Sequence, residues 1–571
     1  MQILLRSGTR VDATDDEGFT PLMLAAYGGH ESIARTLLSH GAAVNAVVEI
    51  GSTPLMEASK EGHGSMAQLL ICHGATVDAK DLGNRTPLFH AAENGHENVL
   101  MILLEHKAEV DLRDKREMTP LAYAVRKGHE SVMKTLVKHG ARLDSETRSG
   151  FSLIAHAVKN GNAIILQWLI ERGLTIESKS RSGRTPLSHA AGSDRKAATR
   201  LLLEHGATVD AEDDSKRTPL SYAASSKGDD AAHFLLRYGA VVDAQDNNNR
   251  TPLSHASESG NSSVVKLLLE NGASVDAEDK NCRTPLSFAA AKGDLDFIIH
   301  LLLERGAAID AKDNGGRTPL THAAMATSDL DDIKQLLENG AVVDSKDNYG
   351  RTPLSYAACN VRDKDAAVAR LMIDHGATID ATDTSGRTAL SLAAESGHES
   401  VVRLLLDKGA HPNSTDEHGL GPLHHAVLSK RSHIVRVLCG AAGIQVDARD
   451  TSGRTPLACA VDIDAPGDEL VVVLYDESVL DDIVNTLLDT CSVDTSILDD
   501  YWIERRQKYL ATASKHATPP PDTPPTPPPM QDPSPPSPST SIPTYQVPFD
   551  PTTKDHYSSP TTSPQQPHHQ P

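Results

Sequence analysis

Residues Asp246 to Asp279 read DNNNRTPLSHASESGNSSVVKLLLENGASVDAED, and this stretch decides the fold. Thr251 is suited to cap a helix, and Pro252 at the first helical position gives up an amide that would be unpaired anyway. A first helix is expected to run to about Ser259, with Gly260 stopping it in the left-handed conformation. A second helix follows, apolar almost all round through Val264, Val265, Leu267, Leu268 and Leu269, and Gly272 ends it. The chain then extends through Val275-Asp276-Ala277 to a polar turn at Lys280-Asn281.

The same unit recurs along the 571 residues. The first residue of Thr-Pro-Leu, or of a close relative, falls at Thr20, Thr53, Thr86, Thr119, Ser152, Thr185, Thr218, Thr251, Thr284, Thr318, Thr352, Thr388, Gly421 and Thr455. The first eight intervals are 33 residues each, and the later ones are 34, 34, 36, 33 and 34. So tight a period means supersecondary units stacked in a line. Helices of two or three turns are too short to stand alone in water, so stability must come from stacking.

With the period, the helix start Thr-Pro-Leu-x-x-Ala-Ala, Gly-His-Glu between helices (as at Gly95-His96-Glu97 and Gly128-His129-Glu130) and the Leu-Leu-x-x-Gly-Ala ending, the chain resembles ankyrin repeats over roughly residues 1–490. The resemblance implies an all-α ankyrin-repeat solenoid, with helix–turn–helix repeats joined by β-hairpin fingers. It differs in one systematic way. Where the family has His after Thr-Pro-Leu, this chain has Ser188, Ser221, Ser254, Ser287, Ser355 and Ser391, and His only at His424, so local bonding must be made differently. The Ser variant is similar to arrays of filamentous fungi.

Residues 1–14 read as a partial repeat, 15–454 as the array, and 455–512 as a degenerate last repeat with a helical cap. The opening half-repeat admits a second reading, a targeting or regulatory fragment of a larger enzyme or ubiquitin-ligase adaptor whose N-terminal domain is missing. Lys107 stands where a helix-ending Gly is usual. After Val461 an acidic insertion and the apolar run Leu470–Leu474 interrupt the pattern; helices over Val479–Leu488 and Ile497–Leu510, with Trp502 and Tyr509, are expected to cap the stack. Residues 513–571 are Pro-, Ser- and Thr-rich and cannot bury enough surface to fold. Their PxxP spacings and Ser/Thr-Pro pairs (Thr518, Thr523, Thr526, Ser534, Ser537, Ser559, Ser563) would suit an SH3- or WW-type domain, or proline-directed phosphorylation.

Net charge is −22, a poor match to nucleic acid, and no apolar run is long enough to span a membrane. The six cysteines are scattered without a C-x-x-C pair, as for reduced thiols in the cytoplasm or nucleus. Most of the 27 histidines sit at repeat-determined positions, which favours structural duty. The pairs His424-His425 and His568-His569 lack acidic or Cys partners at ligand spacing. No nucleophile elbow, phosphate loop or metalloprotease motif occurs, so the sequence predicts no enzyme, cofactor or metal. The recurring Asp and the Arg four residues on (Asp246 and Arg250, Asp279 and Arg283) are expected to bond within each turn.

The expected function is therefore protein–protein scaffolding by a monomer, with no nucleic-acid or membrane partner. In ankyrin proteins the inner helix face and finger tips form the binding groove, which the resemblance carries onto the fourth residue after each Thr: Tyr123, His156, His189, Tyr222, His255 and Phe288 among them. Between Arg113 and Arg184 Lys and Arg outnumber the acids, against the acidic background. Arg126, Lys127 and Lys159 fall on the groove face beside Tyr123 and His156, which suggests a basic–aromatic pocket for an acidic or phosphorylated peptide.

Overall fold

The structure, a computed structural model, describes residues 9–144, 147–226, 228–293, 295–326, 330–360, 366–462 and 482–487. The type unit forms as its sequence dictates. Thr251 is extended and its Oγ1 accepts from Ser254 N at 3.3 Å, the first helix spans Pro252–Ser259, and Gly260 stops it at φ +80°. Asn261 caps the second helix, Ser262–Glu270, through its side chain. Paired helices repeat this pattern from Pro21–Tyr27 with Glu31–Ser39 to Pro422–Leu428 with Ser432–Cys439, and Pro456–Asp462 opens the last repeat.

Each first helix packs on its own second helix and on the first helix of the next repeat, and second helices pack on second helices. Leu253, Ala256, Val264, Val265 and Leu268 are fully buried in one continuous apolar core running through the stack. Burying each such Leu or Val contributes about 1.5–3 kcal/mol, which offsets the poor intrinsic stability of the short helices.

One hydrogen-bond series ties repeat to repeat and another closes helix ends. The histidine of the inter-helix turn reaches back: His63, His96 and His129 donate from Nε2 to the carbonyls of Tyr27, Lys60 and Glu93, each at 2.9 Å. Gly95 must stay glycine for the same reason, because a Cβ there would lie 2.6 Å from His129 Nδ1 at φ +80°. At helix exits, His205 and His375 bond the carbonyls of Leu201 and Leu371 at 2.8 and 2.9 Å.

The fingers are turns, not the β-hairpins expected. In each, the N–H of the finger Asp meets the carbonyl four residues on, as Asp246 with Arg250 at 3.0 Å, and one further backbone bond joins neighbouring tips, as Lys280 N to Asn248 O at 2.9 Å. One such bond per interface is too few to form a ladder. Among the described residues only the isolated bridge Thr382–Thr388 is β-type.

The Ser-for-His exchange also has its account. Ser254 Oγ meets only its own Thr251 Oγ1, 3.2 Å away, whereas His424 accepts from Gly421 N and donates to the Arg454 carbonyl of the next finger, both at 3.3 Å. The Ser repeats thus give up a bond between fingers.

Lys107 takes φ +63° at an exposed helix exit. Lys107→Gly is expected to stabilise its repeat by about 1 kcal/mol, because a non-Gly residue is strained there. Chemical denaturation checks this, and an unchanged midpoint would contradict it.

Toward the C-terminus, residues 482–487 are helical with Ile483, Val484 and Leu487 buried, and Asp482 pairs with Arg436 at 3.1 Å. This is part of the first expected cap helix. The second, with Trp502 and Tyr509, the acidic insertion after Asp462, residues 1–8 and the tail 513–571 lie outside the described residues.

Candidate functional site

The finger Asp is the hub of each repeat. Its Oδ1 accepts from backbone amides two and four residues on, as Asp246 does from Asn248 and Arg250 at 2.7 and 3.0 Å. Its Oδ2 accepts from the side chain of the fourth residue after Thr. His255 donates to Asp246 at 3.0 Å, His322 to Asp313 at 3.1 Å and His425 to Asp416 at 3.1 Å. Tyr123, Tyr222 and Tyr356 donate to Asp114, Asp213 and Asp347 at 2.7, 2.5 and 2.5 Å. The expected Asp–Arg bond is present too, as Arg283 to Asp279 at 3.0 Å.

The aromatic and imidazole row is consequently engaged inside the array. Tyr123 is buried, its hydroxyl pushed up to about 12 by burial and by the Asp114 carboxylate, and Arg126 lies 4.6 Å over its ring. Arg184 and Arg217 cover the Tyr222 ring at 3.7 and 4.2 Å, and Arg250 and Arg283 enclose Phe288 at 4.4 and 4.3 Å. What faces outward in these repeats is guanidinium rather than ring.

The pattern breaks at Val48, where Glu57 accepts from Ser52 Oγ at 2.5 Å instead, and again in two consecutive repeats. Where the Asp should stand, these two have Thr147 and then Ser180. Thr147 Oγ1 still accepts from Phe151 N at 3.1 Å, so the turn forms, but a hydroxyl supplies no counterpart to Oδ2. His156 is 7% exposed and neither of its ring nitrogens meets a hydrogen-bond partner; Nε2 of His189 is in the same state. Buried polar atoms are nearly always satisfied, so two such rings side by side mark a special place. Burial, helped by Arg126 and Lys159, pushes His156 down to about 4, and burial with Arg184 and Lys159 does the same to His189. Both rings are neutral at pH 7.

Above these rings lies a cleft of about 850 Å³ whose wall contains His156, Thr147, Ser149 and Phe151. Phe151 forms an apolar wall, 5.7 Å from the His156 ring and 4.9 Å from His189. Finger tips contribute Lys115, Arg116, Arg148 and Arg181, and the helical side contributes Arg126, Lys159 and Arg195. No carboxylate lines it among the described residues. Arg126 is held by Glu93 at 3.1 Å, Arg195 bonds the Lys159 carbonyl at 3.2 Å, and Lys159 Nζ stands 5.7 Å over Phe151.

Of the residues singled out from sequence, the cleft gathers Arg126, His156 and Lys159, with His189 against Phe151 beside it. Lys127 pairs with Glu93 at 3.6 Å, and Tyr222, His255 and Phe288 belong to later repeats. Sequence reasoning passed over Thr147 and Phe151. The available signal was the recurring Asp, whose series skips 147 and 180.

The family model described as ankyrin repeats (3 copies) matches residues 1–81, 80–147, 154–246, 209–279, 275–347 and 328–416. Among solved structures, a crystal structure of the human ASB11 ankyrin repeat domain is 27% identical, with 39% of this chain and 99% of that chain covered and a TM-score of 0.36. A search of curated proteins finds no match. The residues matched by the family model make up well over half of the chain, which therefore belongs to the ankyrin-repeat family.

Proposed function

We propose that the chain is a non-catalytic, monomeric interaction scaffold of the cytoplasm or nucleus, and that it grips an acidic or phosphorylated segment of a protein partner in the cleft over Phe151. Ankyrin repeats are generally protein–protein interaction modules. The observation that carries the finer reading is the acid-free, seven-cation lining on a chain of net charge −22. Such local reversal attracts an anionic segment while the remaining surface repels polyanions at large. No helix among the described residues is long and apolar enough to cross a membrane. The proline-rich residues after Thr518 would add a second docking element for SH3- or WW-type domains.

Fluorescence anisotropy of the full chain tests the cleft, using labelled peptides rich in glutamate, rich in phosphoserine, or neutral. The anionic peptides should bind more weakly as salt rises, and Arg148→Glu with Arg181→Glu should lower their affinity at least tenfold. Equal binding of the neutral peptide, or full affinity in the charge-reversed chain, would refute this reading.

A further inference from the structure

We infer that the cleft is a phosphate-monoester seat in which a phosphoserine or phosphothreonine of the partner supplies the acceptor oxygen that Thr147 and Ser180 lack, bonding His156 from outside as the finger aspartates bond His255, His322 and His425 from within. This rests on the interaction reading above and specifies its ligand.

Three observations converge on it. In the repeats of Asp246, Asp313 and Asp416 the ring nitrogen Nε2 has a carboxylate oxygen at 3.0–3.1 Å. In the Thr147 repeat the same ring is buried, lines the cleft and has no partner. Four of the cations that line the cleft are also left over. Lys115, Arg116, Arg148 and Arg181 form no ion pair with any described carboxylate, whereas Arg85, Arg283, Arg317 and Arg454 are drawn onto their own finger Asp.

Phosphate fits better than a carboxylate on charge and valence. One carboxylate could satisfy His156 and one cation. A phosphomonoester carries three acceptor oxygens and a charge near −2, enough for His156, the Arg148 and Arg181 forks and Lys159 together. The groups facing His156 are Arg126 on the preceding helix, Lys159 on its own helix, Phe151 and Thr147 on its finger, and His189 beyond Phe151. None of these described groups is acidic, so a bound phosphate brings negative charge to the ring and favours its protonation.

Thr147→Asp tests the assignment, because it restores from within the oxygen that the ligand is held to bring. Aspartate already stands at this position in most other fingers, so the variant should fold, with a melting temperature equal to or above the wild type. Ser149→Asp, whose native hydroxyl meets Thr147 Oγ1 at 3.0 Å in the same cleft, adds the same charge without restoring the finger-Asp position itself. The probes are a heptapeptide with one phosphoserine among alanines, its Ser and Asp versions, inorganic phosphate, and a single-stranded oligonucleotide.

The expected result is binding of the phosphopeptide at least tenfold tighter than of the Asp version. Thr147→Asp should lose at least tenfold and Ser149→Asp less than threefold, and inorganic phosphate should compete. Equal losses in the two variants would overturn the seat yet leave the basic cleft as a general acidic-peptide site. Preference for the Asp peptide or for the oligonucleotide would overturn the choice of a phosphorylated segment. Absence of binding by every anionic probe would remove the seat and the proposed function together.

Discussion

Replacing Asp213 with Ala is expected to cost the array about 3–5 kcal/mol, among the largest effects of any surface-proximal substitution, because it leaves three donors without their acceptor. The carboxylate accepts from Ser215 N at 2.8 Å, Arg217 N at 2.9 Å and Tyr222 Oη at 2.5 Å, and its charge also supports Arg184, stacked on that ring. Asp213→Thr should cost less, about 1–2 kcal/mol, because a hydroxyl keeps the bond from the amide four residues on, as Thr147 does, while the Ser215 N and Tyr222 bonds are lost. A repeat array need not unfold in one step, so amide exchange at Ser215 and Arg217 is the sharper reading, alongside urea denaturation. A cost below 1 kcal/mol for Asp213→Ala would contradict the finger Asp as a structural hub.

Acidification should weaken the array first around the buried rings His156, His189 and His255. His156 and His189 stand near 4 in the folded chain, lowered chiefly by burial, against an ordinary value of about 6.5. The unfolded chain therefore takes up protons from pH 6.5 downward while the folded chain does not until about pH 4. The stability these rings provide is complete above pH 6.5 and is lost as pH falls toward 4. For His156 alone the slope is on the order of 1.4 kcal/mol per pH unit. His255 is pushed down to about 4 as well, chiefly by burial and despite Asp246, so its repeat shares this window, and burial lowers His322 despite Asp313.

Among the finger residues, Asp81, Asp313 and Asp450 act in a lower window. Burial pushes Asp81 up, but hydrogen bonds from His90, Arg85 N and Gly83 N and the Arg85 charge outweigh it and hold the carboxyl at about 2. Its contribution is present above pH 4 and lost between roughly 4 and 2. Hydrogen exchange at pH 7.5 and pH 5 should thus show protection falling over residues 152–192 and in the His255 repeat before the repeats of Phe288 and Leu392, which carry no histidine at that position. Uniform loss along the array would contradict the account.

Much of the repeat could be read from residue types alone. Thr251-Pro252 and Gly260 fixed one helix, Gly272 ended the next, and the period multiplied both. Such signals are local, and each acts within about four residues. The basic cluster around Arg126 and Lys159 was legible for the same reason. The fate of Tyr123, Tyr222 and Phe288 was not. Their rings point along the expected face, yet an arginine covers each: Arg126 of the same helix over Tyr123, and Arg184 and Arg250 of the preceding fingers over Tyr222 and Phe288. The cleft itself arises from absence, at Thr147 and Ser180, of a group that the repeats otherwise supply. Only knowing what Asp246 Oδ2 bonds reveals what Thr147 fails to provide.

The most direct measurement is a crystal structure of the chain with the phosphoserine heptapeptide bound. The account requires a phosphate oxygen within about 3 Å of His156 Nε2, with Arg148 or Arg181 on the other oxygens. A phosphate held only on the finger-tip rim, with His156 still lacking a hydrogen-bond partner, would contradict it.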